Sequence, residues 1–158
     1  MKEKILKFSK VRDVKSPVRS SEGAAGNDFF IPNDFEPKFG YNASSSLVFG
    51  EVQAIPLGIK VNIPKGYCLQ LTSRSGLAIN YGLIVQAGLI DEDYQGEISA
   101  IVSLTKKRFP LEVKAGMKFL QGKIEKVNNL PLVECKIEDL YPVKSKRGAG
   151  GMGSTGIE

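Results

Sequence analysis

At 158 residues, with 42% hydrophobic and 25% charged residues, the chain has the size and balance of one globular domain. It contains no histidine, which excludes Ser-His-Asp triads, Cys-His dyads and His-bound zinc, and leaves acid–base work to Asp, Glu, Lys, Tyr or water. A net charge of +5 favours anionic partners, and neither a signal peptide nor a bilayer-length apolar run is present.

Taken in order, short apolar and β-branched runs between turn signals predict an all-β domain. Strands are expected over Ile5–Phe8, Asp28–Ile31, Leu47–Phe49, Val52–Pro56, Ile59–Ile63, Tyr67–Leu71 and Leu83–Val85. Further ones are expected over Gly96–Leu104, Leu111–Val113, Lys118–Lys126 and Leu132–Ile137. Pro64-Lys65-Gly66 and Asn128-Asn129-Leu130-Pro131 read as turns, Ser75–Asn80 as one helical turn, and the polar stretch Asn33–Ser46 as a surface loop. So many short strands in this length fit a sandwich or jelly roll. The folded body is expected over residues 1–142, followed by a glycine-rich arm, 143–158.

Cys68 and Cys135 show no metal-type spacing and read as buried thiols of a reducing, cytoplasmic compartment. The basic residues are spread along the chain, which weighs against nucleic acid. The run Lys2, Lys4, Lys7, Lys10 and Arg12 reads as a solvated face.

The arm carries Arg147-Gly148-Ala149-Gly150-Gly151-Met152-Gly153-Ser154-Thr155-Gly156. Donors without bulk beside fixed positive charge suit a polyphosphate. Gly148-x-Gly150-x-x-Gly153 matches a dinucleotide fingerprint in letters only. That fingerprint needs a following helix, and five residues remain. A P-loop is excluded likewise, since Gly153 stands where its lysine belongs. Upstream, Arg74 offers a planar fork, Ser75 a hydroxyl and Gly76 an open N–H, a grip for phosphate. Acids and an aromatic, Asp91 to Tyr94, mark a hairpin tip.

Five motifs in this order resemble the trimeric dUTPase family. They are Ala25-Gly26-Asn27-Asp28-Phe29, Arg74-Ser75-Gly76-Leu77-Ala78, Gly88 to Glu97, Gly116-Met117-Lys118-Phe119-Leu120-Gln121, and Arg147 to Gly156. The resemblance implies a jelly-roll subunit (the dUTPase-like β-clip) in a homotrimer whose three active sites are each built from all three chains. It implies hydrolysis of dUTP to dUMP and pyrophosphate by water attack on the α-phosphorus. That reaction limits uracil incorporation into DNA and supplies dUMP for dTMP synthesis.

By the same resemblance Asp91 is the general base. An unperturbed Asp, with a pKa of about 3.9, is a weak base at neutral pH, so positioning and charge stabilisation must supply much of the rate. Arg74, Ser75 and Gly76 hold the phosphates, with Gln121 assisting. Tyr94 presses on the deoxyribose where a 2′-OH would need space. Main chain near Gly88 and Ser99 pairs with the uracil edge. From the arm, Arg147 meets the terminal phosphate, Met152 covers the base, and Gly153, Ser154 and Thr155 wrap the chain. Sixteen residues beyond Pro142 span at most ~50–58 Å, enough to reach a neighbouring subunit. The arm is expected to order only over the triphosphate. Mg²⁺ is implied as cofactor, carried by the phosphates, with Asp28 touching it through water.

Four departures from the family pattern stand out. Met152 takes the place of a stacking Phe, and Met117-Lys118 that of an Asp-Arg pair, so another contact must anchor that turn. Gln86 replaces a small residue near the base, and Ser73 stands where Pro is common. Two rival readings keep the fold: a dCTP deaminase relative, against which the Asp91–Tyr94 motif weighs, and a dUTPase-like regulator that binds nucleotide or nucleic acid.

Overall fold

The computed structural model describes residues 5–35, 46–107, 110–146 and 148–150. They belong to two compact units, residues 1–128 and 129–158.

The first unit is built from short strands: β1 (Lys7–Lys10), β2 (Asn27–Phe30), β3 (Ser46–Leu47), β4 (Val52–Pro56), β5 (Ile59–Asn62), β6 (Tyr67–Ser73), β7 (Leu83–Ala87), β8 (Leu89–Ile90), β9 (Ser99–Leu104), β10 (Leu111–Glu112) and β11 (Lys118–Lys126). They form an all-β jelly roll of four small sheets, ordered β1-β5, β10-β3, β2-β11-β6-β8 and β4-β9-β7. Every strand pair in them is antiparallel.

Period-two alternation is legible in only some of these strands; in β2, Asp28, Phe29 and Phe30 are all buried. In β4, Gln53 and Ile55 are buried while Val52 faces out. β11 breaks the rule, because Phe119 and Leu120 are both buried. A register shift between Lys118 and Leu120 turns the extra residue inward. Phe29, Phe30, Leu69, Leu71, Ile55, Val102, Leu104, Phe119 and Leu120 meet in one core that joins the sheets. Gly122 keeps that core closed, since a Cβ there would lie 2.8 Å from the Phe29 ring.

The helical turn expected at Ser75 is α1 (Ser75–Tyr81). Arg74 precedes it in extended conformation, and Gly82 ends it at φ 69°, with its N–H on the Ala78 carbonyl. The strand expected from Gly96 begins at Ser99, because Ile98 turns away to exchange hydrogen bonds with Leu57 and Ile59.

In the second unit, the strand expected over Leu132–Ile137 is absent, and a four-residue helix, α2 (Ile137–Leu140), ends that stretch. Residues 129–146 are exposed throughout, with Leu132 at 102% and Val133 at 81% of their full accessible surface. A β-branched run forms a strand only beside a partner strand, and none of the described strands pairs with it. The second unit thus starts at Asn129, ahead of the Pro142 boundary expected from the sequence. Among the described residues no helix is long and apolar enough to cross a membrane.

Candidate active site

β6 runs straight from one group of sequence-predicted residues to another. At its C-terminal end, Arg74 Nε lies 3.2 Å from Asp28 Oδ1, and Arg74 Nη1 donates to the Lys118 carbonyl at 3.2 Å. Lys118 Nζ sits 3.0 Å from Asp28 Oδ2 and 3.1 Å from Ser20 Oγ, and the Ser20 hydroxyl donates to Asp28 at 2.5 Å. Gln121, opposite Thr72 in the ladder, donates to the Ser73 carbonyl at 3.3 Å. One carboxylate therefore faces two cations, which leaves net positive charge. Among the described residues nothing engages Arg74 Nη2, so part of its fork stays available to an anion. Ser75 and Gly76 follow at once in the first turn of α1.

The contact that replaces the absent Asp-Arg pair is now visible: Lys118 anchors its turn on Asp28 and Ser20. Ser20 and Lys118 escaped sequence reasoning as site residues. The only available signal was the departure at Lys118 itself.

Burial alone would raise the Asp28 carboxyl. The Ser20 and Lys118 hydrogen bonds and the nearby Arg74 charge outweigh it and leave the pKa lowered. The stabilisation is therefore full above the unfolded value of about 4 and fades as pH falls through the lower folded value. Asp28→Asn is expected to lower the melting temperature at pH 7 and to flatten its fall below pH ~4, read by melts across pH.

The second group lies on the β7–β9 hairpin. β7 pairs with β9 as far as Ala87 opposite Ile101, with a bulge between Val85 and Ala87. The two strands then part. The Gly88 carbonyl accepts from Leu71 N–H at 2.7 Å, and β8 joins β6, while Ser99 stays with Pro56 of β4. The fork separates Gly88 from Ser99, so β7 and β9 no longer pair there. Gln86, expected near this pocket, donates to Ser103 Oγ at 2.6 Å on the neighbouring strand.

Beyond β8, the Asp91 carbonyl closes a turn onto Tyr94 N–H at 3.2 Å, and the Glu92 carboxylate accepts from Gly66 N–H. Asp91 is exposed, and among the described residues its carboxylate has no hydrogen bond or ion pair. Tyr94 is half exposed, and its hydroxyl donates to the Glu97 carbonyl at 3.0 Å.

These two groups do not meet within one protomer. Leu69 pairs with Ile90, which sets Asp91 beside Cys68, while Arg74 follows the far end of β6. Six residues of strand separate them by roughly 20 Å at ~3.3 Å per residue. A pocket of about 200 Å³ beside Gln121, lined by Ala25, Gly26, Thr72, Gly122 and Lys123, is small for a nucleotide, since ligand pockets span ~300–1,000 Å³.

Among the described residues no three or more His, Cys, Asp or Glu cluster as metal ligands. Asp28, the residue expected to touch metal through water, already bonds Ser20 and faces Arg74 and Lys118. This donor set fits a metal carried by a ligand's phosphates and not a cage made by the protein. Arg147, Met152, Gly153, Ser154 and Thr155 lie outside the described residues.

The dUTPase family model matches residues 12–156. A deoxyuridine 5'-triphosphate nucleotidohydrolase of Thermoanaerobacter sp. (strain X514) is 35% identical over 98% of this chain and 97% of its own length. Among solved structures, a point mutant of the Staphylococcus bacteriophage 80alpha dUTPase with dUpNHpp superposes with TM-score 0.74 at 22% identity, covering 97% of this chain and 99% of that one. A point mutant of the dUTPase from phage phi11 of S. aureus, described with a structural Mg(II) ion, superposes with TM-score 0.69 at 21% identity over 84% of this chain and 97% of that one. The family match spans both groups of residues on β6 and the glycine-rich C-terminal segment, and on that match the chain belongs to the dUTPase family.

Proposed function

We propose that three copies of this chain share three sites at which dUTP is hydrolysed to dUMP and pyrophosphate. The observation that supports sharing is the separation along β6. A water attacking the α-phosphorus must touch Asp91 while Arg74 and Ser75 hold the same triphosphate. Roughly 20 Å of strand within one protomer forbids that, whereas a neighbour's β6 end can bring its own Arg74. The exposed Leu132 and Val133 supply apolar surface for such a neighbour.

Asp91 accepts the proton of the water as its oxygen bonds to the α-phosphorus. The bond from that phosphorus to the α–β bridging oxygen breaks, and pyrophosphate departs with the electron pair. Arg74, oriented by Asp28 and the Lys118 carbonyl, meets the phosphates, with Ser75, Gly76 and Gln121 beside it. Magnesium, when bound on the triphosphate, neutralises charge that builds on the leaving group. Among the described residues, Asp28 is the carboxylate held beside Arg74 and Lys118 at this end, where it would contact that ion's water shell.

The β7–β9 fork offers main-chain groups near Gly88 and Ser99 to the uracil edge, which cytosine would meet with donors and acceptors reversed. Tyr94 fills the space of a ribose 2′-OH. The C-terminal segment adds Arg147 for the terminal phosphate, Met152 for the base, and the backbone of Gly153, Ser154 and Thr155. Both cysteines are free thiols, Cys68 buried as expected but Cys135 exposed because its segment has no partner strand among those described, and free thiols suit a cytoplasmic setting.

Pyrophosphate release from dUTP, dCTP, dTTP and UTP, with and without Mg²⁺, tests the reading. Two mispaired base contacts at about 1–3 kcal/mol each place dCTP roughly a hundredfold below dUTP. Equal rates for dCTP and dUTP would overturn it. Met152→Phe is expected to lower KM for dUTP about two- to tenfold, since a stacked ring adds ~0.5–1.5 kcal/mol. An unchanged or higher KM removes Met152 from the base contact.

A further inference from the structure

We infer that Gly96 is a positioning residue for sugar selection, because its missing side chain is the space in which the Tyr94 ring lies. The inference rests on the reading of Tyr94 given above. Gly96 is not among the glycines with positive φ, so its backbone does not demand glycine. The demand comes from the ring. A Cβ on residue 96 would stand 2.3 Å from the Tyr94 hydroxyl oxygen, 2.5 Å from Cζ and 3.0 Å from Cε2. Its three nearest neighbours would all be atoms of that one side chain.

Two contacts fix the ring together. It rests on the bare backbone of Gly96, and its hydroxyl donates to the Glu97 carbonyl at 3.0 Å. The backbone beneath is itself tied down. Glu97 Oε1 accepts from Arg12 Nε at 2.7 Å and from Gly58 N–H at 3.0 Å. Arg12 also reaches Asp34 at 3.3 Å. The next residue, Ile98, is bonded on both its N–H and its carbonyl, to Ile59 and Leu57. When a methyl group is added at residue 96, the half-exposed ring yields before this anchored strand does. The ring leaves its plane and its hydroxyl loses Glu97. A tyrosine without a fixed plane no longer excludes a 2′-OH by shape, since ribose can displace it.

The test measures kcat/KM for dUTP and UTP in the wild type, Gly96→Ala, Tyr94→Ala and the double variant. Gly96→Ala is expected to lower the dUTP/UTP ratio about tenfold or more, whereas a purely structural defect would slow both substrates together. In the Tyr94→Ala background the same change is expected to leave the ratio unaltered, because the ring it displaces is gone. If Gly96→Ala alone does not fold, a double variant that folds with the kinetics of Tyr94→Ala carries the same conclusion. A ratio within about twofold of wild type in Gly96→Ala, while Tyr94→Ala lowers it, overturns the inference and spares the sugar reading. An unchanged ratio in Tyr94→Ala sinks both.

Discussion

Mixing two inactive variants, Asp91→Asn and Arg74→Ala, is expected to restore dUTP hydrolysis. Each homotrimer should be nearly dead, for a different reason. In the proposed mechanism Asp91→Asn removes the proton acceptor, a loss of about 10²–10⁴ in kcat for a positioned base, while binding of dUTP persists. Arg74→Ala removes the phosphate fork and leaves Asp28 without one of its two cationic partners. In a mixed trimer, a site that draws Asp91 from one copy and Arg74 from another can receive both intact groups. With subunits mixed equally at random, about one quarter of the sites do so, one half from each requirement. Co-refolding the variants and measuring pyrophosphate release should therefore recover roughly a quarter of wild-type activity. If both groups acted within one protomer, no mixed trimer would contain a complete site. Recovery near zero in a verified mixture of trimers would end the shared-site reading.

What the sequence disclosed depended on how local the cause was. Val52–Pro56 is an alternating run with a turn on either side, and its bounds are those of β4. Leu89–Ile90 is not among the strands expected from the sequence, because β8 exists only through the edge that Leu69 and Gln70 present to it. The reverse holds for Leu132–Ile137, whose residues favour a strand but find no partner strand among those described. The phosphate-end cluster joins Ser20, Asp28, Arg74 and Lys118 across 98 residues of chain. The motifs marked Asp28 and Arg74 separately, but only the β2-β11-β6 ladder shows that Asp28 orients Arg74 and that Lys118 shares it. Gly96 stands inside a recognised motif, as the first residue of the strand expected over Gly96–Leu104. Its contact with Tyr94 required the ring to be placed.

Deleting residues 144–158 is expected to remove activity and leave the fold. Among the described residues every buried core residue lies between Val14 and Leu120, within the first compact unit. None of the described residues of the deleted stretch is buried, so melting temperature and far-UV spectrum should match the full chain. The chemistry is affected differently. The truncated protein keeps Asp91, Arg74, Ser75 and Tyr94 but loses Arg147 and the glycine, serine and threonine donors that follow it. Hydrogen bonds to a charged phosphate are worth about 1.5–3 kcal/mol each, so losing two lowers kcat/KM by roughly a hundredfold or more. The loss should be greater for dUTP hydrolysis than for binding of dUMP, which has no terminal phosphate for Arg147 to meet. Equal weakening of dUMP and dUTP would assign the segment to the base instead. A truncated chain that hydrolyses dUTP at the full rate would show that the β domain alone closes the site.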